Sequence, residues 1–173
     1  LSTAQKKFGT ASLLLNGGTS DVIHAKDTED IGGPFTIECW AWADDTTNAY
    51  MWCVGQYELE VGINGSTLRW WDGGYRNAFT SGEFTTSTWH HVALVRDTSN
   101  VIKLYLNGTA SSTTNTTTDT FAATNGVFIV GGEYATMTTV QNPWDGYVDE
   151  LRISRFARYT SNFTPPTEPF FDK

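Results

Sequence analysis

Apolar and polar positions alternate with a period of two through most of the chain, and apolar residues almost nowhere recur at helical spacing. In residues 35–42, Phe35, Ile37, Cys39 and Ala41 alternate with Thr36, Glu38, Trp40 and Trp42. That predicts a strand with one face on a core and two tryptophans on the other, at least one of which a second layer must cover. Residues 57–63 and 67–71 flank Asn64-Gly65-Ser66, and Asn and Gly tolerate positive φ, so a tight hairpin is expected. A second hairpin, 89–97 with 101–107, turns at Thr98-Ser99-Asn100, with Ile102, Leu104 and Leu106 inward and Lys103, Tyr105 and Asn107 outward. Residues 10–16 and 20–26 read as strands around Asn16-Gly17-Gly18-Thr19, and 35–43 with 50–57 as a hairpin around 44–49. Residues 127–130 read as a short buried strand and 133–143 as a long loop. The Thr-rich run 109–124 is a loop, a weak edge strand or both. In the closing strand, 146–154, strict alternation puts Tyr147, Asp149, Leu151 and Ile153 on one face and Val148, Glu150, Arg152 and Ser154 on the other. Pro165, Pro166 and Pro169 cannot donate to a ladder, so residues 160–173 are expected as an extended tail packing on the sheets.

About a dozen short strands with no helical period predict an all-β chain of two antiparallel sheets packed face to face. Pattern alone admits a jelly roll, an immunoglobulin-like sandwich or a lipocalin-like barrel. A length of 173 residues corresponds to one domain, 1–173, able to bury its own core. Leu1 is neither an initiator nor the start of a signal peptide, and the chain reads as a piece of a longer protein. The formal charge of −8 argues against nucleic acid, whose phosphates need clustered Lys and Arg, and favours cations. No apolar run reaches the length of a membrane-spanning helix. Cys39 and Cys53 are too few for a disulfide framework. They are either free buried thiols or, if their strands form the expected hairpin, a pair facing each other across it.

The segment DGYVDELRISRFARYTSNFTPPTEPF, residues 145–170, resembles the C-terminal signature of laminin-G-like jelly-roll domains of the concanavalin A-like superfamily, of the kind found in phage structural proteins and bacterial surface proteins. FGTASLLLNG, FTIECWAWA, and TWHHVALVRD followed by VIKLYLNGT agree with that family in order, so the resemblance spans nearly the whole chain. It implies a two-sheet jelly-roll sandwich. It further implies Asp149 as a ligand of a structural calcium, since the matching aspartate of sugar-cleaving relatives holds one. An inward carboxylate at the strand's start would also need either a cation or backbone donors to meet it.

The glycoside hydrolases of this superfamily carry Glu-x-Asp-x-x-Glu on one strand. Here Glu58 and Glu60 are the nearest approach, Gly62 and Ile63 stand where the remaining acid is needed, and a solvated face is expected instead. His90 and His91, adjacent on a strand, point to opposite faces and cannot jointly chelate an ion; one is expected half-buried and the other exposed. For ligand binding the richest stretch is 69–77, where Arg69 and Trp71 point outward beside a loop carrying Asp72, Tyr75 and Asn77. Sugars want that mixture, because ring C–H faces stack on aromatics while hydroxyls seek charged and amide partners. Tyr134 and Trp144 form a second candidate at one end of the sandwich, or else cap the core edge. The expected function is a non-catalytic carbohydrate-binding or adhesion module of a larger virion or cell-surface protein, with a glycan or protein partner. The alternative is a structural decoration domain of a phage capsid or tail without a sugar ligand, and a glycoside hydrolase comes third.

Overall fold

The structure, a computed structural model, describes residues 1–25, 29–80, 82–123, 127–136 and 139–170. Among them there is no helix. The strands are β1 Leu13–Asn16, β2 Ile23–Ala25, β3 Phe35–Ala43, β4 Ala49–Val54, β5 Leu59–Asn64, β6 Thr67–Trp71, β7 Tyr75–Phe79, β8 His90–Arg96, β9 Val101–Leu106, β10 Thr109–Thr116, β11 Phe128–Val130, β12 Glu133–Thr136, β13 Thr139–Gln141 and β14 Asp145–Ser154. Two six-stranded sheets, β1-β14-β3-β8-β9-β10 and β2-β11-β4-β5-β6-β7, pack face to face, and β12 and β13 form a small ribbon of their own. Ile37, Cys39, Ala41, Val92, Leu94, Ile102 and Leu104 from the first sheet meet Trp52, Leu59, Val61, Ile63, Leu68 and Trp70 from the second in one core.

The two hairpins predicted at Asn64-Gly65 and around Asn100 are present, with Gly65 and Asn100 both at positive φ. Elsewhere the chain crosses between sheets where local pairing was expected. Strands β1 and β2 flank a turn yet join different sheets, on β14 and β11. β3 and β4 do not form a hairpin: β3 lies between β14 and β8, and β4 between β5 and β11. Cys39 therefore sits inside the core and Cys53 on the outer side of the second sheet under the ribbon, both as free buried thiols. Burial pushes the Cys39 thiol up to about 12. The long loop expected at 133–143 holds the β12–β13 ribbon, and the Thr-rich run supplies edge strand β10.

The closing strand carries the main correction. Between Asp149 and Arg152 the ladder slips, so that Glu150 and Leu151 oppose Cys39 alone, and Glu150 adopts a φ of 52°. Such a bulge reverses the alternation beyond it. Val148 pairs with Ala41 on the core side, whereas Asp149 pairs with Trp40, and Arg152 with Glu38, on the outer side. Asp149 thus does not share a face with Leu151 and Ile153.

Outside the first sheet lies the tail. Phe163 N–H donates to the Gly108 carbonyl, Asn162 Oδ1 accepts from Ala110 N–H, and Tyr159 stacks on Phe163 at 3.5 Å. Residues 171–173 of the expected tail lie outside the described residues.

Candidate functional site

The outer face of the second sheet gathers the side chains that could hold a ligand. Alternation along β6 sends Leu68 and Trp70 to the core and Arg69 and Trp71 outward. Tyr75 and Asn77, expected on a loop, stand on strand β7, which brings Tyr75 opposite Trp71 and Asn77 opposite Arg69. Trp71 and Tyr75 meet edge to face at 4.8 Å, and the Arg69 guanidinium lies over the Tyr75 ring at 4.1 Å. Arg69 Nη2 donates to Asn48 Oδ1 at 2.6 Å and to Tyr50 Oη at 3.4 Å, and Tyr50 Oη donates in turn to Tyr75 Oη at 3.3 Å. Tyr50 can lie across β5 only because its partner there is Gly62, where a Cβ would stand 2.8 Å from the ring and 2.2 Å from the Ala49 carbonyl oxygen. Tyr75 is 51% exposed and Tyr57, whose carbonyl accepts from Trp71 Nε1 at 2.9 Å, is 42% exposed.

Beneath this aromatic rim lies Glu60. The solvated face expected for it is not found: Glu60 is 1% exposed and its Oε1 has no hydrogen-bond partner among the described residues. Burial, reinforced by the Glu133 charge and partly opposed by Arg69, raises its carboxyl to about 8. Glu133 itself accepts at Oε2 from Gln141 Nε2 at 3.1 Å and from Asn142 Nδ2. Sequence reasoning passed over Tyr50 and Glu133 and placed Glu60 on a solvated face. For Glu60 the signal was available, since it lies on the same strand face as Gly62 and across from Trp71.

The remaining candidates serve the framework. Asp72 is buried beside Trp70, accepting at Oδ2 from Trp70 Nε1 and Asn115 Nδ2, both at 2.9 Å, and pairing at Oδ1 with Arg76 at 3.2 Å. It ties the β6–β7 turn to β10 across the open edge of the sandwich. Asn77 is exposed on the rim. Tyr134, on the ribbon, is buried against Cys53, Ile129 and Val140. Trp144 is fully enclosed, with Nε1 donating to the Trp42 carbonyl at 3.2 Å, so it has no surface for a ligand.

Asp149 was expected to meet either a calcium or backbone donors. Its Oδ2 accepts from the backbone N–H groups of Lys7 at 2.9 Å and Phe8 at 3.2 Å, and its Oδ1 from Glu150 N–H at 3.0 Å. Three amides already satisfy the carboxylate, so backbone donors meet the oxygens that a calcium would need. These residues do not fit a calcium site.

The histidines do point to opposite faces, but both are buried. His90 stacks on Phe84 at 4.5 Å, and His91 Nε2 meets Glu38 Oε2 at 3.1 Å. Glu38 is the hub of the first sheet's outer face, also accepting from Arg152 Nη2 at 2.7 Å and Tyr159 Oη at 2.8 Å. Burial alone would raise its carboxyl; those hydrogen bonds and the Arg152 charge outweigh burial and hold it below the usual value. The tail covers this face with aromatic rings, whereas the second sheet leaves Trp71, Tyr75 and Tyr57 at the surface.

Among solved structures the fold is shared with a Bacteroides ovatus protein assigned as carbohydrate binding, at 19% identity and a TM-score of 0.67 over 86% of this chain and 45% of that one. It is shared too with domain 4 of AbnA, an extracellular arabinanase of Geobacillus stearothermophilus, in complex with arabinotriose, at 20% identity and 0.61 over 83% and 70%. Mouse laminin α1 domains LG4-5 match at 14% identity and 0.64 over 93% and 49%. The chain thus spans less than half the length of the first of these. No curated protein matches it. The family model for laminin G domains of the concanavalin A-like lectin/glucanase superfamily matches residues 16–161, and with most of its length so matched, the chain belongs to that family.

Proposed function

We propose that this domain is a non-catalytic carbohydrate-binding module whose ligand lies across Trp71 and Tyr75, with Asn77 as a polar partner, Arg69 holding Tyr75 in place and Tyr57 at the edge of the platform. The observation that carries this reading is the edge-to-face pair of half-buried Trp71 and exposed Tyr75 beside a guanidinium on the outer face of the second sheet. Aromatic faces take up the C–H side of a sugar ring, and amide groups answer its hydroxyls. Glu60 and Glu133 lie beneath the rim with little surface of their own, which suits a positioning role better than hydrolysis of a bound chain. Supporting the reading are fold relatives named for carbohydrate binding or solved with arabinotriose. Its setting is a larger protein at a cell or virion surface, in keeping with the partial coverage of those relatives. Among the described residues no helix is long and apolar enough to cross a membrane.

Isothermal titration against a panel of neutral oligosaccharides, arabinotriose among them, tests this. One or more should bind, Trp71→Ala should abolish that binding without lowering the unfolding midpoint, and no oligosaccharide should be cleaved. Cleavage lost in Glu60→Gln would replace the module with an enzyme. A second reading, an assembly domain with no sugar ligand, is favoured by the burial of Tyr50, Glu60 and Arg69, which leaves only the rim within reach. A blank panel together with co-purification of a virion or surface protein would select it.

A further inference from the structure

Beneath the aromatic rim, two side chains of opposite charge are buried close together and left unpaired. Glu60 Oε1 and Arg69 Nε have no hydrogen-bond partner among the described residues, and the two residues are 1% and 7% exposed. Glu60 stands opposite Trp71 and Arg69 opposite Gly62, so acid and base are diagonal neighbours on the outer face of β5 and β6. Such positions lie about 7–8 Å apart, within reach of long side chains. Arg69 is engaged elsewhere: Nη2 donates to Asn48 Oδ1 and Tyr50 Oη, and the guanidinium covers the Tyr75 ring. That arrangement suits a neutral Glu60. An ionised carboxylate at this depth needs a counter-ion. The titratable side chains facing Glu60 are Tyr50 and Cys53 on β4, Arg69 on β6 and Glu133 on β12, with Tyr57 and Tyr75 on the rim. Burial pushes Tyr50 and Cys53 up, and Glu133 repels a second negative charge. Arg69 is the cation in this group.

We propose that Glu60 is a proton-set latch on the platform: neutral, it leaves Arg69 over Tyr75, and ionised, it draws the guanidinium off that ring onto its own oxygens. The exchange gives up the Arg69 bonds to Asn48 and Tyr50 for a carboxylate pair, which is the stronger contact. Tyr75 then loses the guanidinium that covers it and keeps only its contacts with Trp71 and the Tyr50 hydroxyl. Burial and the Glu133 charge hold the Glu60 proton up to about pH 8, so the platform is set below that pH and released above it. The effect on a glycan rests on the reading of Trp71 and Tyr75 as its platform, whereas the movement of Arg69 does not.

The test follows nuclear Overhauser contacts between the Arg69 side chain and the Tyr75 ring from about pH 6 to about 9.5, a span that brackets the Glu60 value. In wild type they should be present at the lower end and lost at the upper, as the Arg69 Nε–H resonance shifts with a midpoint near 8. Glu60→Gln, neutral throughout, should keep them at every pH, and Glu133→Gln should lower the midpoint by removing the like charge. Titration calorimetry with arabinotriose reads the consequence: wild-type affinity should fall at least about tenfold over the same span and stay level in Glu60→Gln. Contacts that switch while arabinotriose binds at no pH would support the latch and count against the platform. Contacts that persist at the upper end in wild type, that vanish in Glu60→Gln as well, or a wild-type affinity that binds arabinotriose equally across the span would overturn the proposal.

Discussion

Each sheet carries one fully buried glutamate on its outer face, Glu38 on the first and Glu60 on the second, at 0% and 1% exposure, and the two are driven in opposite directions. Glu38 collects donors from His91, Arg152 and Tyr159 and stays ionised; Glu60 has an orphaned oxygen and Glu133 for a neighbour, and holds its proton to about pH 8. Depth of burial is the same, so the donors decide the charge. The face that satisfies its acid is sealed by the tail, and the face that does not is the one with aromatics in solvent.

The comparison can be broken most forcefully at Glu38. Replacing it by Ala strands Arg152 and His91 without their carboxylate, and removing one member of a buried ion pair destabilises by about 3–5 kcal/mol; urea unfolding would measure this. The pH response then separates the two acids. Below the ordinary Glu value of 4.5 Glu60 is protonated whether folded or unfolded. Between 4.5 and about 8 the unfolded chain ionises while the folded one keeps its proton, so stability falls as pH rises, by at most about 1.4 kcal/mol per pH unit, and is level again above that window. Glu60→Gln should flatten this decline. Glu38 has the opposite sign: its lowered value stabilises the fold at neutral pH, and that contribution is lost as pH falls below 4.5. A wild-type stability flat from pH 5 to 8 would remove the distinction between the two faces.

Two smaller effects sharpen it. Asp149→Ala leaves the Lys7 and Phe8 amides unpaired, which corresponds to about 1–3 kcal/mol. Because three amides meet this carboxylate, thermal unfolding should show the same loss in calcium and in excess chelator. Trp71→Ala should weaken glycan binding by at least about 1.4 kcal/mol, a tenfold change in affinity, with thermal stability nearly unaffected since Trp71 stands on the rim.

The sandwich was legible because its inward positions keep a strict period of two: Ile37, Cys39 and Ala41 on β3, and Ile102, Leu104 and Leu106 on β9, face the core as alternation demands. Partnership was less legible. Nothing local in the turn-rich 44–48 stretch reveals that β3 and β4 enter different sheets, because that choice belongs to the packing of the whole sandwich. The reversal at Glu150 was hidden for another reason. The bulge holds a non-glycine residue, Glu150, at positive φ, which no turn sequence announces, and Asp149 lies on the outer side and not on the expected core side. Within the site, Arg69, Trp71 and Tyr75 followed from alternation along β6 and a rich local composition, while Tyr50, Glu60 and Glu133 arrive from three other segments and meet only through the fold. Asp72 misled because its strand-end position resembles a loop ligand, whereas its oxygens are held by Trp70, Asn115 and Arg76.

The most direct test of the platform is to follow the indole N–H of Trp71 by nitrogen-15 NMR while the protein is titrated with the oligosaccharide that binds best. That N–H, donated to the Tyr57 carbonyl at the edge of the rim, should shift in proportion to saturation, along with the backbone amides of Arg69, Tyr75 and Asn77. The indoles of Trp52 and Trp144 in the core should stay in place. A saturable shift confined to the first sheet or to the tail, with Trp71 unmoved, would contradict the assignment of the ligand to this face.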